Sequence, residues 1–193
     1  AGKRETKIMD ACVQGNVLAE LLKLLKLEKI EKNIFLCQSQ DLGFGNVFGG
    51  QVLGQALSAA SQTVPADRRA HSLHAYFMRP GDATKPIVYN VDCIRDGRSF
   101  TTRRVVAVQK GRAIFNLAAS FQVDESGFEH QDEMPEVPGP EGIEREIDRA
   151  RRLADKLPPG LREMILCRKP IEIRHVNPVD PFAPEVQAPI KYV

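Results

Sequence analysis

Between Asp41 and Asp67 the chain carries no charged side chain, although 27% of its residues are charged. Within that window Val52, Leu53, Ala56, Leu57 and Ala60 recur at spacings of three and four, which predicts a helix. Gly54, Ala56, Ser58, Ala59, Ala60 and Ser61 keep its circumference thin and non-ionic. A helix that is small or apolar on every side is a buried helix, and small side chains let a neighbouring backbone come close. Pro65 stops it. Gly49-Gly50 stands before the first turn, where backbone amides lack partners within the helix, so these amides are open to a ligand atom. The window is not a membrane span: Gln51, Gln55, Ser58, Ser61 and Gln62 interrupt it, and the apolar run falls short of the roughly 20 residues required.

On either side of this helix the pattern changes. Residues 1–15 have no clear periodicity and read as a flexible lead. Val17 to Leu27 is an amphipathic helix with Leu18, Leu21, Leu22 and Leu25 as its stripe and Asn16 as N-cap. Ile34 to Cys37 is a short strand, and Ser39 to Asn46, with Gly43 and Gly45, a loop. After Pro65 the period becomes that of strands: His71 to Met78, Ile87 to Arg95, Phe100 to Gln109 and Ala113 to Val123. Asp96-Gly97 and Lys110-Gly111 mark tight hairpin turns between the last three. Strands this long twist and coil, so the expected architecture is α+β, a curved antiparallel sheet wrapped around one central helix over residues 16–123. Asp124 to Gly142, rich in proline and acid, is a linker. Ile143 to Lys156 reads as a charged surface helix, Leu161 to Cys167 as a short further helix, and Ile171 to Val176 as a strand.

Composition narrows the function classes. A chain of 193 residues can bury a real core, as one domain or one domain with an appendage. Its net charge of +2 gives no electrostatic reason to expect nucleic acid. Cys12, Cys37, Cys93 and Cys167 are scattered, which fits a reducing compartment and argues against a disulfide framework or a zinc site. No apolar run follows Lys3, Arg4 and Lys7, so no secretory signal is visible. Lys191-Tyr192-Val193 is not a peroxisomal address. The expected location is the cytoplasm, or the peroxisome if a signal lies beyond Val193.

The chain has no G-x-S-x-G elbow, phosphate loop, dinucleotide fingerprint or HExxH motif. What remains is the amide-rich helix start, which can polarise a carbonyl oxygen through N–H groups and the positive end of the helix dipole. Hydrolysis also needs an activated water, usually beside a carboxylate or histidine, and the central helix contains neither Asp nor Glu. His71 and His74, three apart on a strand, are expected on opposite faces and so cannot line one site or share a metal. Arg95, Arg98, Arg103, Arg104, Lys110 and Arg112 make the hairpins basic, either as a solvated surface or as an attractor of a phosphorylated carrier. Arg103 and Arg104, being adjacent, cannot serve the same face.

Four segments in order carry a resemblance: Phe48-Gly49-Gly50-Gln51-Val52-Leu53-Gly54-Gln55-Ala56, His71 through Asp82, Arg95 through Phe100, and Ala118-Ala119-Ser120-Phe121-Gln122. Together with Gly127-Phe128-Glu129-His130-Gln131, the set resembles the acyl-CoA thioesterase II family from about Leu21 to Pro178. The resemblance implies a double hotdog, two helix-in-curved-sheet units fused in one chain. It also implies hydrolysis of acyl-CoA to fatty acid and CoA, without a cofactor. In that family the catalytic Asp, Ser or Thr, and Gln belong to the second unit. No position of this chain matches them, so none is carried over, and residues 124–193 are expected to lead towards a second unit absent from this sequence. His71 falls on a histidine for which a catalytic part has been considered in the family.

Gly50, Gln51 and His74 are the candidate substrate-binding residues, and no metal ligand set is expected. The expected state is a homo-oligomer or a pairing with a second hotdog domain, and the chain alone is expected to be inactive. Two other readings remain open: a lone hotdog module that holds an acyl chain or a partner protein, and a homodimeric hotdog hydratase. The hydratase needs an acid or base near the helix start, with Asp41 or His71 as candidates.

Overall fold

A computed structural model describes residues 16–41, 45–158, 162, 165–166, 169–180 and 182–193. Contacts divide it into two compact units: residues 19–127, and the described residues from Phe128 on together with those up to Leu18. The expected lead over residues 1–15 and most of the expected helix Leu161 to Cys167 lie outside the described residues.

The first unit is built on six antiparallel strands: β1 (Glu28–Glu31), β2 (Ile34–Cys37), β3 (Arg68–Phe77), β4 (Ile87–Asp96), β5 (Phe100–Gln109) and β6 (Arg112–Val123). Their order across the curved sheet is β1-β2-β4-β5-β6-β3, so β1 and β3 are its edges. The turn between β5 and β6 has φ of 49° at Lys110 and 71° at Gly111. Positive values at both central residues match the twist of the flanking strands. β1 escaped the sequence reading because Glu-Lys-Ile-Glu carries three charges in four residues and exposes all of them.

The core lies between the sheet and helix α2 (Gly49–Ser61). Ala56, Ala59 and Ala60 are fully buried against Ile87, Tyr89, Val105, Ala107, Phe115, Leu117 and Phe121. The thinness of α2 has the expected consequence. A β-carbon on Gly54 would sit 3.0 Å from Leu25, and the Leu24 and Leu25 carbonyls accept from Gln55 Nε2 (2.8 Å) and Ser58 Oγ (3.1 Å). Helix α1 (Val17–Leu24) therefore ends three residues before the predicted Leu27, where its carbonyls turn towards α2; none of its residues is buried.

Four bulges shape the sheet, with one extra residue each at Ile30 in β1, His71 in β3, Ile94 in β4 and Ile114 in β6. The extra residue of β3 lies between Ala70 and Ser72, and that of β6 where Ala107 pairs with Phe115 and Val108 with Ala113. A bulge re-aims side chains. At Ile114 it turns two consecutive residues, Ile114 and Phe115, towards the core.

In the second unit, helix α3 (Glu146–Leu153) runs on as a 3-10 turn over Ala154–Lys156. Glu146 and Asp148 occupy its first turn and Arg151 and Arg152 its last, charges that complement the helix dipole. The predicted strand Ile171 to Val176 does not form: Arg174 makes an isolated antiparallel bridge with Arg145. A strand needs a ladder to satisfy its backbone, and here a helix N-cap is the neighbour instead. Arg174 Nη1 donates to the Pro140 and Ile143 carbonyls, at 2.8 and 2.9 Å.

Candidate functional site

The start of α2 is unusual for a helix end. Its N-cap is Phe48, extended at φ −64° and ψ 129°, with no side-chain cap bond and no acid in the first turn. The Phe48 carbonyl accepts from Gln51 N (3.0 Å) and Val52 N (3.3 Å). Aromatic rings stand close to both following positions. A β-carbon on Gly50 would lie 2.5 Å from the Phe48 ring, and one on Gly49 would lie 3.0 Å from Phe77. Sequence alone read the pair as open amides; the rings supply a packing reason as well.

Gln51 is buried and tied at both ends of its amide. Nε2 donates to the Gln38 carbonyl and Oε1 accepts from Gln40 N, each at 3.4 Å. One turn on, the fully buried Gln55 anchors the same segment: Nε2 reaches Leu24 O (2.8 Å), Cys37 Sγ (2.9 Å) and Gln38 O (3.1 Å). The Tyr89 hydroxyl donates to Gln55 Oε1 at 2.6 Å. Burial pushes up both the Tyr89 hydroxyl and the Cys37 thiol, so neither ionises near neutral pH. These groups hold residues 37–40 against the helix, and their geometry offers no nucleophile.

His74 lies elsewhere. In β3, Leu73, Ala75 and Phe77 pair with the core residues Ala119, Leu117 and Phe115, and so face α2. His74 pairs with the exposed Ala118, on the outer face, and stacks edge-on to Tyr76 at 4.8 Å. The sheet thus separates it from Gly50 and Gln51. His71 departs from the expected alternation: its Nε2 is 2.8 Å from Ser120 Oγ, and Ser120 pairs with Ser72 on that same outer face. The bulge adds one residue between 70 and 72, so both histidines occupy one face rather than two.

Two carboxylates flank the entry to α2. Asp41 accepts from Gly45 N at 3.0 Å. Asp82 accepts from Thr84 Oγ1 (2.6 Å) and Lys110 Nζ (3.0 Å), and those hydrogen bonds hold its carboxyl well below the usual range. A carboxylate so stabilised is a weak general base. The adjacent arginines divide as expected. Arg103 is buried, bonding Asp96 Oδ1 (2.7 Å), the Thr63 hydroxyl and the Thr63 carbonyl (both 2.9 Å). Arg104 lies half-exposed with Asp92. Among the described residues no His, Cys, Asp and Glu cluster could hold a metal ion, and no helix is long and apolar enough to cross a membrane.

Beside the first turn of α2 opens a cleft of about 370 Å³, lined by Val47, Gly49, Val52, Phe77, Ile114 and Phe115, with Met78 to Gly81 at its rim. Sequence reasoning missed it. The glycine pair was legible, but the pairing of Phe77 with Phe115 and the bulge at Ile114 were not. A second cleft of about 470 Å³, in the second unit, has rim charges paired with one another: Arg145 and Arg151 with Asp148, and Lys169 with Glu146.

Residues 39–122 match the family model described as the acyl-CoA thioesterase N-terminal domain. These residues belong to the acyl-CoA thioesterase N-terminal domain family. It is 48% identical over 168 residues to acyl-CoA thioesterase 2 of Haemophilus influenzae, covering 87% of this chain and 59% of that protein. It is 46% identical over 149 residues to acyl-coenzyme A thioesterase 8 of Mus musculus, covering 74% and 46%. The acyl-CoA thioesterase II crystal structure from Mycobacterium marinum superposes at a TM-score of 0.57 with 46% identity, over 63% of this chain and 45% of that one. At 23% identity and a TM-score of 0.57, a hot dog fold protein from Alicyclobacillus acidocaldarius, covering 65% and 48%, shares the fold alone. The first unit is a hotdog fold. The chain spans about half the length of these relatives.

Proposed function

We propose that this chain serves in the hydrolysis of fatty acyl-CoA to fatty acid and CoA, as the non-catalytic N-terminal hotdog half of the enzyme. The observation that carries the reading is the helix start. Gly49 to Gln51 lie beside an apolar cleft, α2 contains no carboxylate, and Asp41 and Asp82 are both engaged in turns. Such a site polarises a thioester carbonyl and leaves water activation to groups in the part of the relatives' length that this sequence does not contain. Gly50 frames the carbonyl position, and Gln51 acts by holding residues 38–40 in place. His74, on the far face of the sheet, is assigned no contact with the thioester. The reaction as proposed uses no cofactor.

The test is thiol release from dodecanoyl-CoA, followed with a disulfide reagent. The chain alone should match the uncatalysed rate. Turnover that Asp41→Asn or His71→Ala abolishes would overturn the reading, and enoyl-CoA hydration lost in the same variants would favour a homodimeric hydratase.

We further assign β3 as the edge on which a second hotdog sheet pairs, in another copy or another domain. It is ten residues long, exposes Leu73, Tyr76 and Phe77, and among the described residues has no strand on its outer side. Edges of this kind recruit other strands. The chain should self-associate at micromolar concentration; light scattering that gives a single monomer mass would refute this.

A further inference from the structure

We propose that the cleft beside the first turn of α2 receives the far end of the fatty acyl chain, and that Phe77 sets the chain length accepted. The proposal rests on the thioesterase reading and assigns residues to it that neither the sequence nor the family match supplied. At about 370 Å³ the cleft falls in the range of small-molecule sites. Val47, Val52, Phe77, Ile114 and Phe115 line it, and Arg79 is the one charged residue of its lining. Arg79 at the rim directs Nη1 to the Ala113 carbonyl at 2.7 Å. With that nitrogen engaged and the remaining side chains apolar, the cleft suits the apolar end of a ligand. Gly49 forms part of the wall, so a thioester at the helix start would direct its tail inward past Val52.

Two features mark the cleft as built for an occupant. The bulge in β6 aims Ile114 into it next to Phe115, and the Ile114 carbonyl accepts from Met78 N (2.9 Å) and Arg79 N (3.2 Å), which fixes the rim. Around the opening Phe48, Phe77 and Met78 are 57%, 62% and 44% exposed. Large apolar side chains clustered in solvent mark a binding surface. The Phe77 ring leans on Phe115, 5.0 Å between centroids, and on Gly49. It lines the cleft, yet is exposed enough to be replaced without opening the core.

The test uses the chain as it stands, with cis-parinaric acid as fluorescent probe and saturated fatty acids of increasing length as competitors. Circular dichroism verifies each variant's fold. The wild-type chain should bind the probe, with competition rising to a limiting length. Phe77→Ala should move that limit to longer acids by two or more carbons. Phe77→Arg should weaken probe binding at least tenfold, and Met78→Arg provides the same reading if Phe77→Arg fails to fold. Ile30→Arg, an equally exposed residue on the opposite edge strand, should leave binding unchanged. The proposal falls if the wild type does not bind the probe or if Ile30→Arg weakens it as much as Phe77→Arg. It also falls if Phe77→Arg disperses the self-associated chain while probe affinity holds, since the cleft would then be a protein contact. None of these readouts involves turnover, so failure of the hydrolytic reading is seen separately.

Discussion

The two ends of α2 are treated in opposite ways. At its C-terminal end the Arg103 guanidinium, 2% exposed, bonds the Thr63 carbonyl and hydroxyl, while Thr63 N and Gln62 N continue the helical ladder to Ala60 and Ser58. A cation there meets the negative end of the helix dipole. At its N-terminal end no side chain caps the helix: phenylalanine stands where a capping side chain belongs, acids are absent from the first turn, and Gly49 lines a cleft. One end is secured by side-chain bonds, and the other is where the ligand is proposed to bind. Stability has been withheld where chemistry is proposed, as strained or uncapped elements at functional sites often show.

The comparison breaks most visibly at the secured end. Arg103→Ala removes a buried donor set that bonds the Thr63, Arg95 and Thr102 carbonyls and Asp96, a loss of about 3 kcal/mol. Urea denaturation should show it as a lower midpoint at unchanged slope; a shift under about 1 kcal/mol would mean the α2 end is not held there. The open end should respond in the other direction. Phe48→Asp supplies the missing cap and a charge suited to the dipole, a gain of about 1 kcal/mol, seen as a melting point a few degrees higher. A fall instead would show that the Phe48 ring on Gly50 supports the fold. The smallest effect belongs to Arg104→Ala, one residue from Arg103 but half-exposed with Asp92. Its loss should stay below about 0.5 kcal/mol, within the error of the same denaturation curve.

The parts that sequence made legible are those governed by local chemistry. An ion-free stretch can only be an interior helix, and Gly97 and Gly111 punctuate long alternating runs, so α2 and β4 to β6 were placed within a residue or two. What escaped depends on partners distant in the chain. Glu28–Glu31 pairs with β2 in spite of its charges. The isolated 171–176 segment alternates but meets no ladder. For the candidate site, the place of Gly50 and Gln51 at the start of α2 was legible because helix starts are read from glycine and proline, whereas the side of the sheet on which His74 lies follows from pairing with Ala118. The cleft needed β3 and β6 brought together, with an extra residue in one of them.

The spare residue at position 71 governs more than its own side chain. A strand is a two-sided ribbon, and an odd step decides which side each later residue turns to the interior. Ala75 packs on the core, Phe77 reaches Gly49 of the helix, and Arg68 reaches Thr101, only because the chain takes that half-turn between them. Exchanging His71 for another amino acid leaves the parity intact. Deleting it inverts one flank of the strand, greasy side to water, so this locus should tolerate many letters but only one length.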